Sequence, residues 1–351
     1  LKTRKLILIL LLTIFTLLNP ASAEIEIQDF FSDFTSSDAT ITSTQDLEGR
    51  AVFELLYAGS PVESQEVPLK VKAGETAYRV IVWQKKPQYD YYIAKVSIYS
   101  NTKPIASKTY EVSYNTAALP SFYVAGFSPT NSGVQFLLRP FNPSVADIKI
   151  ELLDNNAVVY TETKEDVSLS TNTEIEMPWP FLLTSNREYT VRAKVYTHRL
   201  YAPPIINSYV SYFTANEDVE ILADDVEVDE YGASVTIRGE SQVPFDGYIV
   251  VTARNRVTNE THEFRAQLEE ILVSDKEDTA GVVWRGLAPG TYEVVIRAVN
   301  QENVTIDKYE TAMRIPEISN VSKAVPAKRT PGFTAIMLLM LLAAARRLKG
   351  A

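Results

Sequence analysis

Between residues 24 and 330, apolar and polar residues alternate with a period of two almost throughout. Successive side chains on a strand point to opposite faces, so this pattern belongs to half-buried strands. Val235-Thr-Ile237-Arg, Ile148-Lys-Ile150-Glu and Tyr292-Glu-Val294-Val-Ile296-Arg-Ala298 are examples. Turn-forming clusters such as Ser100-Asn101-Thr102, Asp154-Asn155-Asn156 and Pro289-Gly290 recur at strand-length spacing. No long amphipathic helical window interrupts them. Glu263 to Val273 reads as a short helix or an irregular loop, and residues 29–47 are less regular than the rest.

The three tryptophans mark a longer period. Trp83 is followed by Tyr92, Ala94, Val96 and Ile98. Trp179 is followed by Tyr189, Val191, Ala193 and Val195, and Trp284 by Tyr292, Val294, Ile296 and Ala298. The tryptophans are 96 and 105 residues apart. A further strand follows each run, over Ile105 to Tyr114, Ile205 to Phe213 and Val304 to Ile315. About seven short strands in roughly 100 residues is the size of a two-sheet sandwich. A strand pair alone cannot bury its apolar face, so two sheets must stack. Each Trp is expected between the sheets, and each Tyr at the corner that enters the next-to-last strand.

Leu287-Ala-Pro289-Gly290-Thr-Tyr292 resembles that corner in fibronectin type III domains. Leu183-Thr-Ser-Asn186-Arg-Glu-Tyr189 and Pro87-Gln-Tyr89-Asp-Tyr91-Tyr92 occupy the same place without the Pro-Gly. The resemblance implies an all-β chain of three tandem immunoglobulin/fibronectin III-like β-sandwiches, over residues 24–117, 118–216 and 217–315. Residues 316–330 read as a tether. Connections of a few residues predict a semi-rigid rod.

The two ends specify a compartment. Lys2, Arg4 and Lys5 precede an apolar run from Leu6 to Leu18, then Asn19-Pro20 and the small-residue site Ala21-Ser22-Ala23. Residues 1–23 therefore read as a secretory signal peptide cleaved after Ala23. The apolar core is short for a bilayer span, which needs roughly 20 residues. At the other end Pro331-Gly332-Phe333 opens an apolar segment to Ala345, followed by Arg346, Arg347 and Lys349. Basic residues there stay cytoplasmic and leave the body of the chain outside. Residues 331–351 resemble the PGF-CTERM sorting signal of archaeal surface proteins. That resemblance implies an archaeosortase-like processing enzyme that removes the hydrophobic helix and leaves a lipid in its place. The chain would then sit at the cell surface, held to the membrane through its C-terminus. The same pattern without processing is a plain tail anchor. Where that family often carries a long Thr/Pro/Glu-rich linker, the tether here is short and holds Lys323, Lys328 and Arg329.

Charge narrows the partners. The sequence holds 34 basic and 44 acidic residues, net −10. Each terminal segment carries three basic residues and no acidic one, so the remainder carries −16. Such a surface repels phosphate backbones, which argues against nucleic acid. Without a single cysteine, disulfides, thiolate zinc sites and cysteine nucleophiles are excluded, and the sandwiches must be stable through core burial alone.

No catalytic motif is found: no G-x-S-x-G, no H-E-x-x-H and no phosphate-binding glycine loop. His198, at a strand end, and His262, inside a sequon, both read as solvated loop residues. The densest acidic run, Glu217 to Glu230, offers Asp224, Asp225 and Asp229 as calcium ligands at a junction. Alternation of Val219, Ile221, Val226 and Val228 supports the plainer reading of a solvated strand face. No other cofactor is indicated. Asn259, Asn303 and Asn320 head N-glycosylation sequons. Tyrosines crowd the first two repeats, including Tyr89, Tyr91, Tyr99, Tyr110, Tyr196, Tyr201 and Tyr209, and Tyr201-Ala-Pro-Pro204 reads as a rigid hairpin tip. The sum is a non-catalytic structural or adhesive surface protein, contacting envelope proteins or glycans. A ligand-binding accessory subunit of an envelope complex is the alternative, and a carbohydrate-active enzyme with its site on sandwich loops a further one.

Overall fold

The computed structural model describes residues 25–85, 88–113 and 119–317. The expected signal peptide with Ala21 and Ala23, the sequon residue Asn320, and Pro331, Gly332, Phe333, Arg346 and Arg347 lie outside the described residues, as does the expected C-terminal helix. Among the described residues all regular structure is strand.

The strands of the described residues fall into three sets of seven. The first set comprises β1 Ile25–Ser32, β2 Ser36–Ser43, β3 Leu47–Tyr57, β4 Ser60–Val71, β5 Thr76–Val82, β6 Tyr91–Ser100 and β7 Lys103–Ser113. The second comprises β8 Phe122–Pro129, β9 Gly133–Pro140, β10 Ser144–Asp154, β11 Ala157–Leu169, β12 Thr173–Pro178, β13 Arg187–Arg199 and β14 Ala202–Ala215. The third comprises β15 Val219–Val228, β16 Gly232–Gly239, β17 Tyr248–Asn255, β18 Thr261–Gln267, β19 Glu277–Val283, β20 Gly290–Val299 and β21 Thr305–Ile315.

The same wiring recurs in each set. Strands one, two and five pair side by side, and strands four, three, six and seven pair in that order, all antiparallel. A separate hydrophobic cluster fills the space between the two sheets of each set. The alternation explains the packing. On β20, Tyr292, Val294, Ile296 and Ala298 are buried in the third cluster while Glu293 points to solvent. Tyr92, Tyr189 and their alternating followers do the same in the other two.

Trp83, Trp179 and Trp284 each enter one cluster. Their indole N–H groups need an acceptor when buried, and each finds it at the end of the first strand of its set. Trp83 donates to Ser32 Oγ (3.2 Å), Trp179 to Thr130 O (2.9 Å) and Trp284 to Asp229 O (2.8 Å). The corner tyrosines differ in the direction of their bonds. Tyr292 Oη donates to Ala288 O at 2.8 Å, in the one corner with Pro-Gly. Tyr189 Oη accepts from Thr184 N (3.2 Å), and Tyr92 Oη accepts from Gln88 N (2.9 Å) and Tyr89 N (3.2 Å). Removing the hydroxyl with Tyr292→Phe should lower the stability of the third set by about 1 kcal/mol, the usual net worth of one such bond. Urea unfolding followed on Trp284 would read this; an unchanged midpoint would mean that the corner bond contributes nothing.

Two stretches differ from the sequence reading. Residues 261–267 form β18, not a helix, and the irregular segment after it is tied down by a bridge between Phe245 and Leu272. Residues 29–47 hold the second half of β1, which follows a bulge between Ile27 and Asp29, and the whole of β2. Their alternation is masked because Ser36, Ser37, Asp38 and Ala39 are all buried: both faces of β2 are covered.

Candidate functional site: a buried charge network between two sheets

What covers the outer face of β2 is the next set. The sheet β1-β2-β5 joins β11-β10-β13-β14 through one backbone pairing, Ala157 with Arg79, giving a seven-stranded sheet. Alternation on β13 sends Val191, Ala193 and Val195 into the second core and Arg192 and Lys194 to the opposite face. That face is not solvated, and both side chains are buried.

Arg192 organises the contact. Its Nε donates to Glu151 Oε2 (2.6 Å) on the neighbouring β10, where Nη2 also pairs with Glu151. Its Nη1 donates to Asp38 Oδ2 (2.7 Å) and Ser36 Oγ (3.3 Å) on β2, and Nη2 to Tyr78 Oη (2.6 Å) on β5. The guanidinium fork thus spans both sets. Lys194 Nζ donates to the same Asp38 oxygen at 2.8 Å and lies 4.3 Å over the Phe31 ring. Lys149 Nζ sits 2.6 Å from Glu151 Oε1. Beside this cluster, Ser208 on β14 gives Asp33 Oδ2 two bonds, from N and Oγ, both 2.7 Å, and its Oγ lies 2.7 Å from Ser36 Oγ.

Burial and pairing set the protonation states. Burial alone would push the Asp38 carboxyl up, but the Arg192 and Lys194 cations hold it below the ordinary carboxylate range. Burial opposes the charge on Arg192, and Asp38 and Glu151 outweigh it, so the guanidinium stays charged. Asp33 has no such cation and shifts the other way: desolvation raises it despite the bonds from Ser208, Ser36 and Thr35. Burial raises the Tyr78 phenol and takes that of Tyr196 to about 12, so both remain protonated.

The second junction is built from backbone groups and a few uncharged side chains. Gln242 N donates to Asn131 O (3.0 Å) and Leu183 N to Gln242 O (2.9 Å). Asn216 N reaches Asn131 Oδ1 (3.2 Å), and Ser241 Oγ donates to Asn216 O (2.8 Å). Val243, from the β16–β17 loop, is buried in the second cluster. Gly239 allows a close approach within the third set, where a Cβ would lie 2.2 Å from Val273 O.

The calcium candidates do not converge. Asp229 Oδ1 accepts from Tyr231 N (2.7 Å) and Gly232 N (2.9 Å), which makes it a turn residue. Asp224 and Asp225 are exposed where the β15–β16 register slips between Ile221 and Val226. Among the described residues, the carboxylate and imidazole group that comes within ligating distance is Asp147, Asp166 and His198. His198 is therefore not a free loop residue: it is the last residue but one of β13, with Nε2 2.9 Å from Asp147 Oδ2. That bond raises the His198 pKa. His262 lies on β18, 3.3 Å from Glu260.

The sequon residues Asn259 and Asn303 are exposed on turns. Of the tyrosines, Tyr57 and Tyr89 stack with centroids 3.7 Å apart at the surface, and Tyr91 is also exposed. The β13–β14 tip projects Leu200 and Tyr201, which are 88% and 104% exposed.

No protein-family model matches the chain, and no curated protein matches it. Solved structures were found at low likeness. A tetra-tandem repeat from the extending region of a large adhesion protein aligns over 83% of this chain and 74% of its own, with 12% identity and a TM-score of 0.25. Escherichia coli alpha-2-macroglobulin activated by porcine elastase aligns over 85% of this chain and 33% of its own, with 11% identity and a TM-score of 0.23. At these scores neither likeness bears on function.

Proposed function

We propose that the chain is a non-catalytic, exported surface protein that displays three tandem immunoglobulin/fibronectin III-like sandwiches from the membrane through its C-terminus, as a structural or adhesive element touching envelope proteins or glycans. The observation that carries this reading is the coupling of successive sets. A buried ionic network joins the first to the second, and an inserted Val243 with paired backbone joins the second to the third. Such coupling holds loops at fixed separations, which is what display requires and what a flexible string of sandwiches does not give. The signal-peptide pattern and the Pro331-Gly332-Phe333 segment supply the export and the anchor. The accessory-subunit reading keeps one observation in its favour, the exposed Leu200–Tyr201 tip, since an unsupported apolar pair on a rigid hairpin suits a protein partner.

The test is the intact mass and C-terminal peptide of the native protein from an envelope fraction. The reading expects an N-terminus at Glu24, a C-terminus near Thr330 or Pro331 bearing a lipid-sized addition, and glycan on Asn259 or Asn303. A terminus retaining Arg346-Arg347-Leu348-Lys349 would overturn the sorting reading and favour the membrane-complex subunit.

A further inference from the structure

The outer face of the second four-stranded sheet carries a second polar group, beyond the buried network and towards the β13–β14 tip. Asp147 comes from β10, Asp166 from β11 and His198 from β13. Their ligating atoms all lie within 4.8 Å of one another. A bulge places them. Ala146 pairs with Val167, but Ile148 pairs with Lys164, so the intervening β11 residues are looped out. Asp166 there takes a left-handed φ of 52°, and its N–H donates to Asp147 Oδ1 at 2.9 Å. Bulges commonly re-aim a side chain in this way.

The two imidazole nitrogens are used differently. Nε2 is 2.9 Å from Asp147 Oδ2 and is held as the N–H donor. In the neutral ring that leaves the Nδ1 lone pair, which faces Asp166 Oδ1 at 3.8 Å. The gap is too long for a hydrogen bond. Two ligands each about 2.1 Å from a tetrahedral ion lie about 3.4 Å apart, so a shift of a few tenths of an ångström admits one. A carboxylate on the far nitrogen is the usual support of a metal-binding histidine, fixing its tautomer and raising its basicity. The Asp166 carboxylate is 84% exposed, which leaves an open path and positions for water.

We propose that His198 Nδ1 and Asp166 bind a divalent transition metal of the zinc class, with Asp147 as the positioning residue on Nε2. Imidazole selects zinc, nickel or copper over calcium and magnesium, which take oxygen ligands. The ion would tie the β11 bulge to the base of the hairpin that carries Leu200 and Tyr201. The proposal is independent of the surface-display reading, because it concerns side chains of one sheet.

The test uses the full chain, freed of metal with EDTA and titrated with zinc chloride. The chain has two histidines, so His262 serves as an internal control. Binding by calorimetry should be one to one, and the NMR ring signals of His198 should shift and saturate while those of His262 do not. Asp166→Asn and His198→Gln should each weaken binding at least tenfold, and Asp147→Asn about tenfold, as for other supporting carboxylates. Calcium chloride at the same concentration should leave His198 unmoved. Equal shifts at both histidines, wild-type affinity in Asp166→Asn, or displacement of zinc by equimolar calcium would each overturn the proposal.

Discussion

Arg192→Met should destabilise the contact between the first two strand sets by about 3–5 kcal/mol, the usual cost of removing one partner from a buried ion pair. The size follows from what is left behind. Asp38 and Glu151 would remain buried with one cation each, Lys194 and Lys149, and Tyr78 Oη would lose the Nη2 donor. Methionine fills similar volume, so the loss is electrostatic and not a cavity. Urea unfolding should change from coincident loss of the first two sets to two separate transitions. The converse variant, with Asp38→Leu, Glu151→Leu, Arg192→Met and Lys194→Met together, should recover most of the loss, because apolar replacement of a whole buried network is often neutral or stabilising. If the single variant unfolds like the wild type, the network does not hold the sets together.

Trp179→Ala should cost the second set about 3–5 kcal/mol, as large aromatic truncations in cores do. Trp179 is 1% exposed. It stacks on Phe213 at 6.2 Å and meets Tyr160 edge-on at 6.1 Å. Its N–H closes the β8 end through Thr130 O, so truncation opens a cavity and frees a carbonyl at once. The second core also receives Val243, so the junction with the third set should weaken while the Trp284 core keeps its own midpoint. Trp284 fluorescence during urea unfolding separates the two. A shift of less than 1 kcal/mol in the second set would mean that the indole is not a packing element there.

The strands and cores were legible because each side chain reports its own face. Val191, Ala193 and Val195 on β13 announce a buried face from sequence, and the three tryptophans announce three centres. The interface was not legible for the same reason. Arg192 and Lys194 alternate with those apolar residues just as solvent-facing residues do, and nothing local distinguishes a charge facing water from one facing Asp38 across another sheet. The one trace was the irregular stretch around Ser36-Ser37-Asp38, where small polar residues fill a strand that is covered on both sides. That same lateral contact alters the rod expected from short connections, since the first two sets meet through sheet faces and an edge pairing. The grouping of His198 with Asp147 and Asp166 is not legible because the bulge that brings Asp166 beside the ring depends on register between β10 and β11, which alternation does not encode. Asp224, Asp225 and Asp229 are close in sequence but diverge along one strand and its turn.

A lock at Arg192 should make the first two strand sets one rigid unit. Electron-spin distance measurement tests it most directly, because a chain without cysteine accepts two unique labels. Lys72→Cys and Thr171→Cys place them on exposed positions of the first and second sets. The locked pair should give a single narrow distance distribution that broadens when Arg192→Met is added. A broad distribution in the chain that keeps Arg192 would contradict it.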